Sequence, residues 1–351
     1  MAGRWLLLSA LLAAAIATHA PPDAVAAPTY GVDALDFPSA AGYQAVDGAG
    51  GRVVRLSIFW QKVEPTANSV PDWSAYDAAF TAAAGAGIRI LPLLHGSAPW
   101  VNSNFEQPPL GATWKQAAWK HFVNEFAARY GHGGVFWKLH PTLAYLPPDY
   151  WEVWNEPNLR FFWGGRPQPG KYLTLLRITG EALKSADPSA QVSVGGLFEH
   201  ARHGFGLRAS DFLNRLYRRP GAESYFDAVG LHPYGTKPRD VLANVKLARR
   251  VMRRHGDGAT PVLVTELGWA VGGLGLARSP FKATLRQQAH RLTRSFHVLA
   301  ARPALGIRVL LWFSLQDGAE NLWIYRMGLF NRAAQPRPAW YAFARVAGGH
   351  P

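Results

Sequence analysis

The sequence predicts a (β/α)8 barrel forming one domain, and three observations carry that expectation. Apolar runs of strand length recur eight times, stretches of helical periodicity separate them, and several of the runs end in polar side chains. The last feature matters because such barrels hold their chemistry at the C-terminal ends of the strands. A length of 351 residues permits this architecture without deciding it.

The first run begins at Tyr30-Gly31-Val32, followed by Arg52 to Trp60, Ile88 to His95 and Glu152 to Asn155. Gln191 to Gly195, Ala228 to His232, Val262 to Glu266 and Ile307 to Phe313 complete the eight. Helical periodicity covers Ser74 to Ala84, Trp114 to Tyr130, Lys171 to Ser185, Asp211 to Arg218, Pro238 to His255 and Thr284 to Ala301, and Pro338 to Val346 closes the chain. Ser74 is placed to cap a helix start, and Gly87, Gly131 and Gly256 to end helices in the left-handed region. The long Gly- and Pro-bearing connection Gly131 to Pro148 enters the fourth strand from the helix side and reads as scaffold. There is no internal repeat and no low-complexity segment.

Ahead of the barrel, Arg4, the apolar run Trp5 to Ile16 and the small residues Ala24-Val25-Ala26 before Ala27-Pro28 form a charged, an apolar and a cleavage region. Residues 1–27 are therefore expected to be a secretory leader and residues 28–351 the barrel, secreted to the periplasm or beyond. The apolar run is shorter than the ~20 residues a membrane span needs, so no stable insertion is expected after cleavage. Cysteine is absent, which excludes disulfides, a thiol nucleophile and a thiolate metal site. The net charge of +14 is scattered rather than gathered on one surface, and no nucleic-acid partner is expected.

The strand ends supply a short set of polar residues. These are Arg55 on the second run, His95 on the third, Asn155 and Glu156 on the fourth, His232 and Tyr234 on the sixth, Glu266 on the seventh and Trp312 on the eighth. Two carboxylates facing each other across a barrel suit glycosidic cleavage. One protonates the leaving oxygen, and the other attacks the anomeric carbon at a separation of ~5–5.5 Å or activates a water when farther away. Charge from Arg55 and a hydrogen bond from Tyr234 would keep Glu266 ionised, whereas a proton donor at Glu156 needs its pKa raised.

Trp154-Asn155-Glu156-Pro157, Thr265-Glu266 and His232-Pro233-Tyr234 resemble the corresponding strand ends of clan A glycoside hydrolases. Glu152 to Asn158 and the closing Gly328-Leu329-Phe330 with Pro336 to Tyr341 are most similar to family 39. The resemblance implies Glu156 as acid/base, Glu266 as nucleophile, Asn155 bonding the sugar 2-hydroxyl and retention at the anomeric carbon. Arg55, His232, Tyr234 and Trp312 would support them. Leu267-Gly268-Trp269 departs from the family xylosidases, which more often carry Trp directly after the nucleophile, and this bears on the choice of substrate.

Glu152 shares a face with Glu156 but lies deeper, so it reads as a buried support that needs a charged partner. For Asn155 and Glu156 both to face the site, the strand must bulge or end between them. His95 and His232 lack close ligand spacing and read as hydrogen-bonding or substrate-contacting residues, so no metal and no cofactor is expected. Trp163, Trp269 and the strand-end Trp312 are candidate sugar-stacking residues. The expected activity is thus a retaining β-glycosidase acting on a polysaccharide or oligosaccharide, with a non-catalytic carbohydrate-binding barrel as the alternative.

Overall fold

A strand sends successive side chains to opposite faces, and this chain makes use of both faces. A computed structural model describes residues 27–200 and 204–350. In it β1 (Thr29–Ala34), β2 (Val53–Phe59), β3 (Arg89–His95), β4 (Tyr150–Val153), β5 (Gln191–Phe198), β6 (Ala228–His232), β7 (Val262–Val264) and β8 (Ile307–Phe313) close a parallel barrel in chain order. The leader expected over residues 1–27 lies, apart from Ala27, outside the described residues. Among those described, no helix is long and apolar enough to cross a membrane.

The inward positions Val53, Leu91, Ala228, Leu263, Val309 and Leu311 pack one another and plug the lower barrel. The outward set, including Val32, Val54, Leu310 and Trp312, packs under the surrounding helices. Above the plug the interior becomes polar. In β1 and β2 the register sets Asp33 beside Arg55, and in β3 and β4 it sets Leu93 beside Glu152. Asp33, Arg55 and Glu152 are buried there, so these charges must satisfy one another.

Local differences from the sequence reading have local causes. Helix Ala40–Gly48 contains two glycines and no strong periodicity, yet it forms because Ser39 caps the Gly42 N–H at 3.1 Å and Tyr43 and Val46 are buried. Helix Ser74–Gly85 starts under Asp72, which accepts from the Ser74 N–H at 2.9 Å, so Ser74 is its first residue rather than its cap. Gly87 and Gly256 have φ of 74° and 80° as expected. Gly131 has φ of −70°; its missing side chain serves close packing, because a Cβ there would sit 2.6 Å from the Ala127 carbonyl oxygen.

The pairing of β5 with β6 shifts register between Val194 and Leu197. A Cβ on Gly195 would lie 1.9 Å from the Trp154 carbonyl oxygen, and one on Gly196 would lie 1.9 Å from His232 Nε2. The glycine pair therefore opens room for a turn on one neighbour and an imidazole on the other.

Candidate active site

The strand-four sequence turns two adjacent residues toward one cleft by ending early. β4 stops at Val153, and Trp154 and Glu156 adopt φ of 67° and 40°. Each such residue costs ~1–3 kcal/mol, so surrounding contacts must hold the turn. The Trp154 N–H donates to the Leu94 carbonyl at 2.8 Å, its indole N–H to the Phe162 carbonyl at 2.5 Å, and the Leu159 N–H to the Glu156 carbonyl at 2.8 Å. Asn155 and Glu156 both line the cleft as a result.

Arg55 ties the floor together. Its Nε donates to Glu152 at 2.6 Å, Nη1 to Asp33 at 2.6 Å and to Glu266 at 2.9 Å, and Nη2 to Asn155 at 2.9 Å. Burial works against its charge, but Glu152, Asp33 and Glu266 outweigh that and hold it firmly protonated. Glu152 is fully buried with Arg55 as its partner. Burial also pushes Asp33 up to about 6 against the pull of Arg55.

Glu266 accepts from Tyr234 Oη at 2.9 Å on its other oxygen, and His232 Nε2 lies 3.4 Å away. Burial raises its carboxyl to about 8, with Arg55 and the Tyr234 hydrogen bond opposing the rise. The two neighbours named from sequence therefore do stabilise the anion, but desolvation outweighs them. Glu156 is raised well above the carboxylate range by burial and then by the charge of Glu266.

His232 joins the two carboxyls. Burial, then Arg55, holds its pKa well below the imidazole range, so the ring is neutral and carries one N–H. Thr265 Oγ1 donates to Glu152 at 3.0 Å, which spends the only hydroxyl hydrogen. His232 Nε2, 3.1 Å from the same oxygen, must then be the donor there. That leaves Nδ1 as an acceptor 2.8 Å from Glu156 Oε1, and the proton between them belongs to Glu156. The network assigns a protonated Glu156 without reference to any substrate.

One ligand atom each from Glu156, His232 and Glu266 lies within 4.8 Å of the other two, a spacing a cation could use. Both nitrogens of His232 are already hydrogen-bonded, to Glu156 and Thr265, so a metal would have to displace one of those bonds.

The cleft above this floor measures about 660 Å3. Of the residues named from sequence, Glu156, Glu266, Asn155, Arg55, His95 and Tyr234 line it, and His232 lies directly beneath. His95 Nε2 is bonded to Glu106 at 2.9 Å. The three tryptophans named as sugar contacts do not reach the cleft. Trp312 points outward from β8 and donates to the Met327 carbonyl, Trp269 donates to the Gly235 carbonyl, and Trp163 packs between Trp154 and Tyr172. Phe313, one residue on, takes the inward position expected of Trp312. Asp33, Ser57, Glu106 and Tyr325 also line the cleft; Asp33 was detectable as an acid on the first strand, whereas loop residue Glu106 carried no signal.

No family model matches the chain. A β-xylosidase from Geobacillus stearothermophilus is 31% identical over 159 residues, covering 41% of this chain and 28% of that protein. A family 39 glycoside hydrolase from Bacteroides cellulosilyticus WH2 superposes with a TM-score of 0.70 at 18% identity, over 92% of this chain. The chain shares the fold of these glycoside hydrolases. A monomeric β-xylosidase from Caulobacter crescentus CB15 (TM-score 0.64, 18% identity, 92% of this chain and 69% of that one) and xylanase 10B from Thermotoga maritima (0.59, 14%, 91% and 94%) are similar in the same way. The Bacteroides protein is longer, and the chain spans 64% of it.

Proposed function

We propose that the protein is a retaining glycosidase. The observation that carries this reading is the carboxyl pair on the cleft floor: oxygens of Glu156 and Glu266 lie within 4.8 Å, in unlike surroundings. That spacing is nearer the ~5–5.5 Å of direct attack by the second carboxylate than the ~6.5–9.5 Å at which an inverting reaction seats a water, and this supports the retaining reading. The xylosidase relative makes a β-xyloside the first substrate to try.

In this mechanism Glu266 attacks the anomeric carbon while Glu156 gives its proton to the glycosidic oxygen. The carbon–oxygen bond breaks and the alcohol leaves. Glu156, now a carboxylate, removes a proton from water, whose oxygen displaces Glu266 and restores both groups. Asn155, oriented by Arg55, is positioned to meet the neighbouring sugar hydroxyl. The sequence leader adds export from the cell, tested by mapping the N-terminus of the mature protein.

The direct test uses Glu266→Ala and Glu156→Ala on an activated aryl glycoside. Both should lose activity by 10²-fold or more, and azide should restore turnover with inverted product for Glu266→Ala and retained product for Glu156→Ala. Near-native rates in either variant would overturn the reading, and glycan binding without turnover by the wild type would favour a binding barrel.

A further inference from the structure

The charged and amide groups of the cleft are gathered at its floor, and the rim adds the Tyr325 hydroxyl and the Trp323 indole N–H on the β8 side. Among the described lining residues, every carboxylate, amide and guanidinium group lies at the floor except Glu106, which is engaged with His95. Above the floor stand two apolar walls. Phe59 and Phe105 (centroids 5.7 Å apart) and Phe161 and Phe162 (4.9 Å) form one, and Leu322 and Trp323 face the cleft from the β8 side. At the mouth the apolar groups are left in water: Phe161 is 72% exposed and Leu322 43%. Two more exposed side chains, Phe205 and Leu274, belong to segments whose backbone is hydrogen-bonded to the rim segments. The Phe205 carbonyl accepts from the Arg160 N–H, and Leu274 is bridged to Leu322. Exposed apolar surface contiguous with a cleft marks a binding surface.

We infer that the leaving-group side of this cleft takes an apolar aglycone, the alkyl or aryl group of a glycoside, rather than a second sugar. The inference rests on the glycosidase reading above. The leaving oxygen must sit at the carboxyl that protonates it, Glu156. Leu159, Phe161 and Phe162 follow that residue in the same loop and line the way out. The rings of Phe161 and Phe162 can stack on the apolar face of a sugar, but with Leu159 they offer its hydroxyls no hydrogen bond, so a second sugar gains less there than an apolar group of the same size. An alkyl or aryl group gains the same surface through burial. This differs from the oligosaccharide expected from sequence, which could not show that this way out is apolar.

The test first finds the accepted sugar with a panel of 4-methylumbelliferyl glycosides. The methyl, hexyl and octyl glycosides of that sugar are then compared with its disaccharide. The alkyl series has leaving groups of similar basicity, so rate differences report binding of the chain. Full burial is worth about three- to four-fold per methylene, and a partly open groove should still raise kcat/KM at least about ten-fold from methyl to octyl, with the disaccharide below octyl. The double variant Phe161→Ser with Leu322→Ser, at two exposed positions, should cut the octyl-to-methyl ratio by about half or more. Equal rates for methyl and octyl, or preference for the disaccharide, overturns the inference. If the wild type turns over no glycoside faster than Glu266→Ala does, the glycosidase reading itself has failed. The apolar subsite is then decided by calorimetry with 1-octanol: saturable binding weakened in the double variant supports it, and no binding overturns it.

Discussion

His232 meets Glu156 with one nitrogen at 2.8 Å and Thr265 with the other at 3.1 Å, while Thr265 spends its hydrogen on Glu152. A buried carboxylate two bonds away thereby fixes which end of the imidazole carries the proton. Nδ1 can only accept, so Glu156 keeps its hydrogen.

Thr265→Val should therefore act at a distance. With the hydroxyl gone, His232 is free to carry its proton on Nδ1 and donate it to an ionised Glu156, which lowers the pKa of that carboxyl. The expected result is a basic limb of the kcat/KM profile moved to lower pH, with kcat reduced about ten-fold and the fold retained. A profile of unchanged shape would show that Thr265 is only packing.

Tyr234→Phe tests the acid limb. Activity in the double-displacement reading needs Glu266 ionised, and burial has already raised that carboxyl to about 8. The wild-type profile should accordingly rise well above the ordinary carboxylate range, as an apparent value of the coupled pair. Tyr234 holds the pKa down through its 2.9 Å bond, so losing it raises the pKa and shifts the acid limb upward. The loss of rate should be larger at pH 6 than at pH 9. An acid limb that moves down would contradict the assignment.

Raised carboxyls also have a stability cost with a definite sign. Folded Glu156 holds its proton to higher pH than unfolded Glu156, so its contribution is most favourable in acid and declines as pH climbs above the unfolded value of ~4.5. Glu156→Gln removes this dependence. The variant should be more stable to unfolding than wild type, by about 1–2 kcal/mol at neutral pH, with a difference that grows between pH 5 and pH 8. A constant difference across that range would mean that Glu156 is not desolvated as the cleft floor suggests.

Much of this arrangement was legible because periodicity and strand ends are local signals. The eight runs and their order, the depth of Glu152 and the need for a break beside Asn155 all follow from alternation along a strand. The break itself is longer than a bulge, with two residues in the left-handed region, and the Gly195-Gly196 pair that makes room for it lies on the next strand. Trp312 shows the opposite case. The run Ile307–Phe313 is apolar at most positions on both faces, so nothing local says which parity points inward. The plug residues Val309 and Leu311 settle it, and they are defined only by contacts with other strands. Loop residues such as Glu106 and Phe161 obey no period at all.

Arg55 offers the severest test of the floor. Its three nitrogens serve four partners, and a lysine has a single nitrogen with no planar fork. Arg55→Lys should leave at least one of Asp33, Glu152 and Glu266 without a counter-charge and cost about 3 kcal/mol or more, measured by denaturant unfolding at pH 7. If the cost is unpaired charge rather than lost packing, neutralising the deepest acid should recover part of it. The double variant Arg55→Met with Glu152→Gln is therefore expected to be more stable than Arg55→Met alone, by about 1–2 kcal/mol. It should remain inactive, because Glu266 would still lack the charge that opposes its desolvation. Strict additivity of the two substitutions would remove the charge argument and leave Arg55 as a packing residue.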